Sequence, residues 1–185
     1  MTTQAPAKRR NGQAKKTLRV SPRDVEINLE RLDVSADSFD FITQHFQRPE
    51  IEKSAVDGGR GGWFIYNFIQ AFVQGLNVCY VPVVDGRYRA GMFFGCVSGK
   101  AKLECHQGIY NEFKGFGVAS IRMCIKQCFD DFDTLTHLVG YIPVHNRPSL
   151  LCAKHGGFDV IGKMPNHQVY NGFPTDAWIV VKERD

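Results

Sequence analysis

Lys114-Gly115-Phe116-Gly117-Val118-Ala119-Ser120 is the stretch on which the reading of this chain turns. It follows a stretch predicted as a strand, Ala101 to Ile109. It opens a run whose apolar positions Val118, Ile121, Ile125, Cys128 and Phe129 recur at three and four residues, the period of an amphipathic helix. Two glycines let the backbone turn sharply, and the unpaired N–H groups of a first helical turn would converge there. Such a turn favours a phosphate or pyrophosphate, and Lys114 adds a mobile positive charge. The plainer alternative is a strand-to-helix turn with no ligand.

Two phosphate signatures do not fit. A P-loop needs a glycine-rich run ending in Gly-Lys-Ser/Thr, which is absent. A dinucleotide fingerprint runs as far as Gly115-x-Gly117-x-x-Ser120 but lacks the third glycine. It also wants an acid at the end of the next strand, and Leu135 to Val144 is followed by His145.

Working outward, Val25 to Leu32 alternates as a half-buried strand, and Ser38 to Phe46 presents Phe39, Ile42, His45 and Phe46 on one helical face, with Ser35 or Asp37 as cap. Asp57 to Gly62 breaks the chain, and Trp63 to Val73 is a second, very apolar helix whose Trp63, Phe64, Tyr66 and Phe68 read as packing against a sheet. Val78 to Val84, the turn Asp85-Gly86, Tyr88 to Val97 and Ala101 to Ile109 form an antiparallel meander. After the helix that follows Gly117 come a strand, Leu135 to Val144, and a short helix, Arg147 to His155, capped by Gly156-Gly157. Two last strands, Phe158 to Met164 and Ala177 to Lys182, flank a polar loop. This order implies an α/β fold with a mixed, mostly antiparallel sheet of about six or seven strands and about four helices on its two faces.

Lys114-x-x-Gly117-x-Ala119 resembles the Arg/Gln-x-x-Gly-x-Gly/Ala motif of the GNAT N-acetyltransferase family. A second block, Asn146 to Phe158, is similar to that family's strand-to-helix region, where an Asn precedes a short helix that closes with Gly-Phe, here Gly157-Phe158. The resemblance covers about residues 76–182. It implies a GNAT-like fold, acetyl-CoA as cosubstrate and transfer of an acyl group to an amine acceptor. It implies that Lys114, Gly115, Gly117, Val118 and Ala119 hold the pyrophosphate. Ile109 N–H would face the acyl oxygen, and Asn146 and Ser149 would contact the pantetheine or adenine side. The family often draws the proton for the leaving thiolate from a tyrosine that falls here at Ala153, so Tyr141 or Tyr170 must substitute if catalysis persists. Candidates for the general base are Glu104 and His106, two residues apart on one strand face, with His145 and Tyr141 on the next strand.

Composition frames both readings. With 43% hydrophobic and 23% charged residues, the 185-residue chain suits one globular domain, predicted over 18–185. No apolar run is long enough to span a bilayer, and no secretory leader is evident, so a cytoplasmic location is expected, or a virion if the chain is phage-encoded. The six cysteines show no C-x-x-C pair and read as buried free thiols with no metal. Lys8, Arg9, Arg10, Lys15, Lys16, Arg19 and Arg23 precede the first acidic residue, Asp24, giving +7; the other 16 basic and 19 acidic residues net −3. Residues 1–17 are therefore read as a disordered basic tail, and residues 1–23 as a nonspecific, salt-sensitive nucleic-acid contact. Tail and Ala153 together motivate the rival reading, a catalytically degenerate GNAT-like protein with a structural or nucleic-acid-associated role. Arg60, between glycines, is read as a flexible connection or as a contact for an anionic acceptor.

Overall fold

The computed structural model describes residues 25–51, 61–99, 101–170 and 172–185. The basic tail and Arg60 lie outside them.

Strand β2 (Asn77–Val84) is buried along almost its whole length, because helices cover both faces of the sheet there. Its neighbours are β1 (Ile27–Arg31), the two-residue β3 (Tyr88–Arg89) and β4 (Gly91–Val97), all antiparallel to it. Asp85 and Gly86, both at positive φ (56° and 63°), make the predicted hairpin turn. β4 pairs with β5 (Lys102–Ile109). β5 in turn runs parallel to β6 (His137–Pro143), and β8 (Phe173–Glu183) joins β6 to the edge strand β7 (Asp159–Tyr170). The order is β1-β2-β4-β5-β6-β8-β7, with β3 off the path. The stretch read as a polar loop between the last two strands is instead mostly strand: β7 and β8 run well past Met164 and begin before Ala177. Its polar composition hid it, because an edge hairpin with both faces half open does not alternate.

Among the described residues four α-helices pack on the sheet. α1 (Ala36–Phe46) starts where Ser35 Oγ accepts the Ser38 N–H at 3.3 Å. It lies with α2 (Gly61–Val73) on one face, where Phe46, Phe68 and Phe94 meet edge to face at 4.9 to 5.7 Å. α2 does not pack as uniformly as its composition suggests. Phe68 is buried, whereas Trp63 and Tyr66 are 71% and 62% exposed, since the helix turns only one stripe to the sheet. α3 (Gly117–Asp131) and α4 (Arg147–Gly156) cover the other face over Tyr80, Phe93, Leu103 and Leu138. They touch closely: a Cβ on Gly156 would stand 2.5 Å from Ile121 Cγ2. Gly157, at φ +107°, closes α4 in the left-handed conformation that the sequence led us to expect.

Candidate functional site

The parallel pair β5–β6 is joined only from Lys102/His137 to Glu104/Val139. Beyond that point the strands part. The backbone on the β5 side of the gap can be oriented from its other ladder. Tyr110 N–H donates to Ala90 O, and the β4–β5 register runs without a shift, so the even residues of β5 bond to β4. The N–H and C=O groups of Cys105, Gln107 and Ile109 therefore point away from β4, toward the side that β6 has left. The Cys105 carbonyl does lie on that side, 3.5 Å from where a Gly140 Cβ would be.

A cleft of about 490 Å³ fills the gap and reaches both faces of the sheet. On the α3/α4 side it is walled by Ile109, Lys114, Gly117, Cys152 and Ala153. Here Gln107 crosses between elements: its Nε2 donates to Gly117 O at 3.4 Å, and its Oε1 accepts the Cys152 thiol at 3.9 Å. Gly117 has no room for a side chain to spare, since a Cβ would come within 3.2 Å of Cys152 Sγ. Burial raises the Cys152 thiol above its ordinary range, so it stands there as a neutral SH. Asn146 caps α4 by accepting the Ser149 N–H at 3.2 Å, and both residues line the cleft.

The turn itself differs from the expectation in one respect. The chain from Asn111 to Phe116 forms a 3₁₀-helix leading straight into α3, and Gly117 N–H is donated to Lys114 O. Gly117 is thus not a free donor as it stands. Tight i→i+3 bonding is a common way of satisfying a helix start. Lys114 lines the cleft; Gly115, Val118 and Ala119 are not among its lining residues. Among the described residues no side chain caps the start of α3.

The α1/α2 side is built from ionisable groups. Glu104 and His106 do share a face, with His106 Nε2 and Glu104 Oε1 3.3 Å apart. The His106 hydrogen bond holds the Glu104 carboxyl below its ordinary range, and the charges of His106, His167 and Lys102 act in the same direction. His106 stacks on Phe94 with centroids 4.8 Å apart. Tyr141 lines the cleft from β6, its ring 4.3 Å from that of His167, whereas Tyr170 packs on His145 at 3.9 Å. His106 and Tyr141 are thus brought to the cleft. Glu104 reaches it through His106.

His45 is a cleft residue that sequence reasoning counted only as part of a helix face. It is 1% exposed, its Nδ1 is 3.1 Å from Tyr110 Oη, and its Nε2 has no hydrogen-bond partner among the described residues. It packs against Gly108, where a Cβ would lie 3.0 Å from Nε2. Burial, helped by the Arg48 charge, pushes its imidazole down to about 3, so it is neutral. A histidine in an otherwise apolar helical stripe was the available signal. His167 had none, lying in the stretch read as a loop.

This is the fold of the GNAT acetyltransferases. Spermidine N-acetyltransferase from Vibrio cholerae, solved in complex with CoA and spermine, superposes with a TM-score of 0.69 at 16% identity, over 85% of this chain and 95% of that one. Ribosomal-protein-S5-alanine acetyltransferase from Vibrio fischeri superposes with a TM-score of 0.68 at 14% identity, over 85% and 93%. No family model and no curated protein sequence matches the chain. Among the described residues no helix is long and apolar enough to cross a membrane, and no group of three or more His, Cys, Asp or Glu could hold a metal ion.

Proposed function

We propose that the chain is an N-acyltransferase that uses a coenzyme A thioester, acetyl-CoA in the first instance, to acylate an amine. The observation that carries this reading is the parting of β5 from β6 after Glu104/Val139, with Gln107 and Ile109 turned toward the gap. The cleft suits the group in size and lining: it is open to both faces and walled on the α3/α4 side by backbone, neutral side chains and the cationic Lys114.

When bound, the thioester supplies an acyl carbon on a thiol leaving group. The amine nitrogen bonds to that carbon, the C–S bond breaks with its electron pair going to sulfur, and one proton passes in net from nitrogen to sulfur. The chain's own residues serve this in separable ways. Lys114, Gly115, Gly117, Val118 and Ala119 hold the diphosphate at the start of α3, with Gly117 N–H exchanging its bond to Lys114 O for the ligand. Asn146 and Ser149 flank the arm. Ile109 N–H donates to the acyl oxygen, where a fixed donor lowers the barrier as negative charge develops. Glu104, ionised at neutral pH and paired with His106, receives the amine proton, and Tyr141 donates to the departing sulfur in place of the tyrosine missing at Ala153.

Calorimetry with CoA and acetyl-CoA tests binding, and a turnover screen against a panel of amines tests catalysis. A second reading, a GNAT-like protein that has lost turnover, is favoured by one observation: Ala153 lines the cleft where related proteins would offer a phenol. CoA binding with no turnover across the panel selects it.

A further inference from the structure

β7 and β8 do not pair evenly. Between Met164↔Ala177 and Gln168↔Thr175 the register slips, leaving Pro165, Asn166 and His167 opposite the single residue Asp176. Asp176 is what holds this bulge. Its Oδ1 accepts the Asn166 N–H at 3.1 Å and its Oδ2 takes Lys163 Nζ at 2.8 Å. These bonds, Lys163 foremost, keep its carboxyl below the ordinary range. Asn166 sits at φ +50°, a conformation that asparagine accepts more readily than most residues.

Bulges bend a strand and re-aim its side chains, and they recur beside functional sites. Here the bend turns the hairpin back over the end of β6. Gln168 reaches the cleft, Tyr170 meets His145, and the His167 ring comes to 4.3 Å from Tyr141 at 37°. The Tyr141 hydroxyl has no hydrogen-bond partner among the described residues, so no polar contact there fixes its direction.

We propose that His167 is a positioning residue for Tyr141: the bulge lays the imidazole on the phenol ring and sets the angle at which Tyr141 Oη enters the cleft. The role rests on the acyl-transfer reading, in which Tyr141 is the proton donor. A misaligned donor costs rate without costing cosubstrate affinity, and displacements of about 1 Å can cost about a hundredfold.

The test uses the full chain with His167→Ala, His167→Phe, Tyr141→Phe and the Ala/Phe double variant. NMR of ring-labelled tyrosine, without ligand, reads the Tyr141 ring directly. Its signals are expected to shift and its ring flips to quicken in His167→Ala, and Asp176→Ala, which loosens the bulge from a distance, should reproduce part of this. In turnover, His167→Ala is expected to lower kcat at least about tenfold with CoA affinity unchanged, and His167→Phe to recover most of the loss. Because His167 acts through Tyr141, the double variant should be no slower than Tyr141→Phe alone. Unmoved Tyr141 signals, multiplying losses in the double variant, or failure of Phe to rescue would each overturn the inference while leaving CoA binding intact. A wild-type chain that binds no CoA would instead remove the acyl-transfer reading, and this role with it.

Discussion

The two ends of the cleft are made of different materials. Toward α3 and α4 it is backbone, glycine, a neutral thiol and an amide, with Lys114 at the rim, contributed by short stretches of β5, the 3₁₀ turn, α3 and α4. Toward α1 it is His106, Tyr141 and the buried His45, backed by Glu104 against His106 and His167 against Tyr141, drawn from three strands and a helix that lie far apart in sequence. On the proposed reading the first end binds through groups every residue possesses, so its identity would lie in spacing and in the absence of side chains. On the same reading the second would work through particular atoms, whose ionisation is set by neighbours. An end of the first kind can outlast changes that would disable one of the second.

Filling the backbone end should have the largest effect. Gly117 already stands 3.2 Å, by its would-be Cβ, from Cys152 Sγ. Gly117→Trp is therefore expected to leave no calorimetrically detectable CoA binding in a protein whose circular dichroism is unchanged. Normal binding by that variant would show that this end of the cleft is not where the diphosphate sits.

At the ionisable end, Tyr141→Phe should lower kcat about a hundredfold while leaving CoA affinity as it was. If both ends respond alike, in affinity and in rate together, the division drawn between them fails.

His45 sharpens the contrast through stability. Its imidazole is held near 3 in the folded chain and titrates near 6.5 in the unfolded one. Above pH ~6.5 neither state takes up the proton and its contribution is complete. As pH falls below that, only the unfolded chain is protonated, so stability drops by about 1.4 kcal/mol per pH unit until the folded value is approached. Urea titrations should lose about 2 kcal/mol between pH 7 and pH 5 from this group, and His45→Gln should remove that part of the slope. An unchanged slope would mean that His45 is not buried as a neutral group.

The smallest effect is expected at Lys114, which is exposed at the cleft rim. Lys114→Ala should weaken CoA binding only about threefold in dilute buffer, and less as salt is added, as for other exposed charge contacts. A large, salt-insensitive loss would shift the binding from backbone to side chain.

Much of the architecture was legible without coordinates. Helical and strand periods, the Asp85-Gly86 turn and the Gly157 cap each rest on interactions within a few residues, and the glycine spacing at 115 and 117 flagged the start of α3. Less was legible of the site. Glu104 and His106 could be paired, being two apart on a strand. That the Gly117 N–H is already engaged could not be read, because it depends on whether Asn111 to Phe116 coil into a 3₁₀ turn.

Local order along most of the chain was determined by the sequence alone, since period and turn chemistry act over short range. Tertiary structure decided where β5 and β6 cease to pair, which imidazole loses its water, and that a slipped hairpin returns His167 to Tyr141. Those outcomes depend on packing and pairing between segments distant in sequence, and no local pattern encodes a distance across a fold.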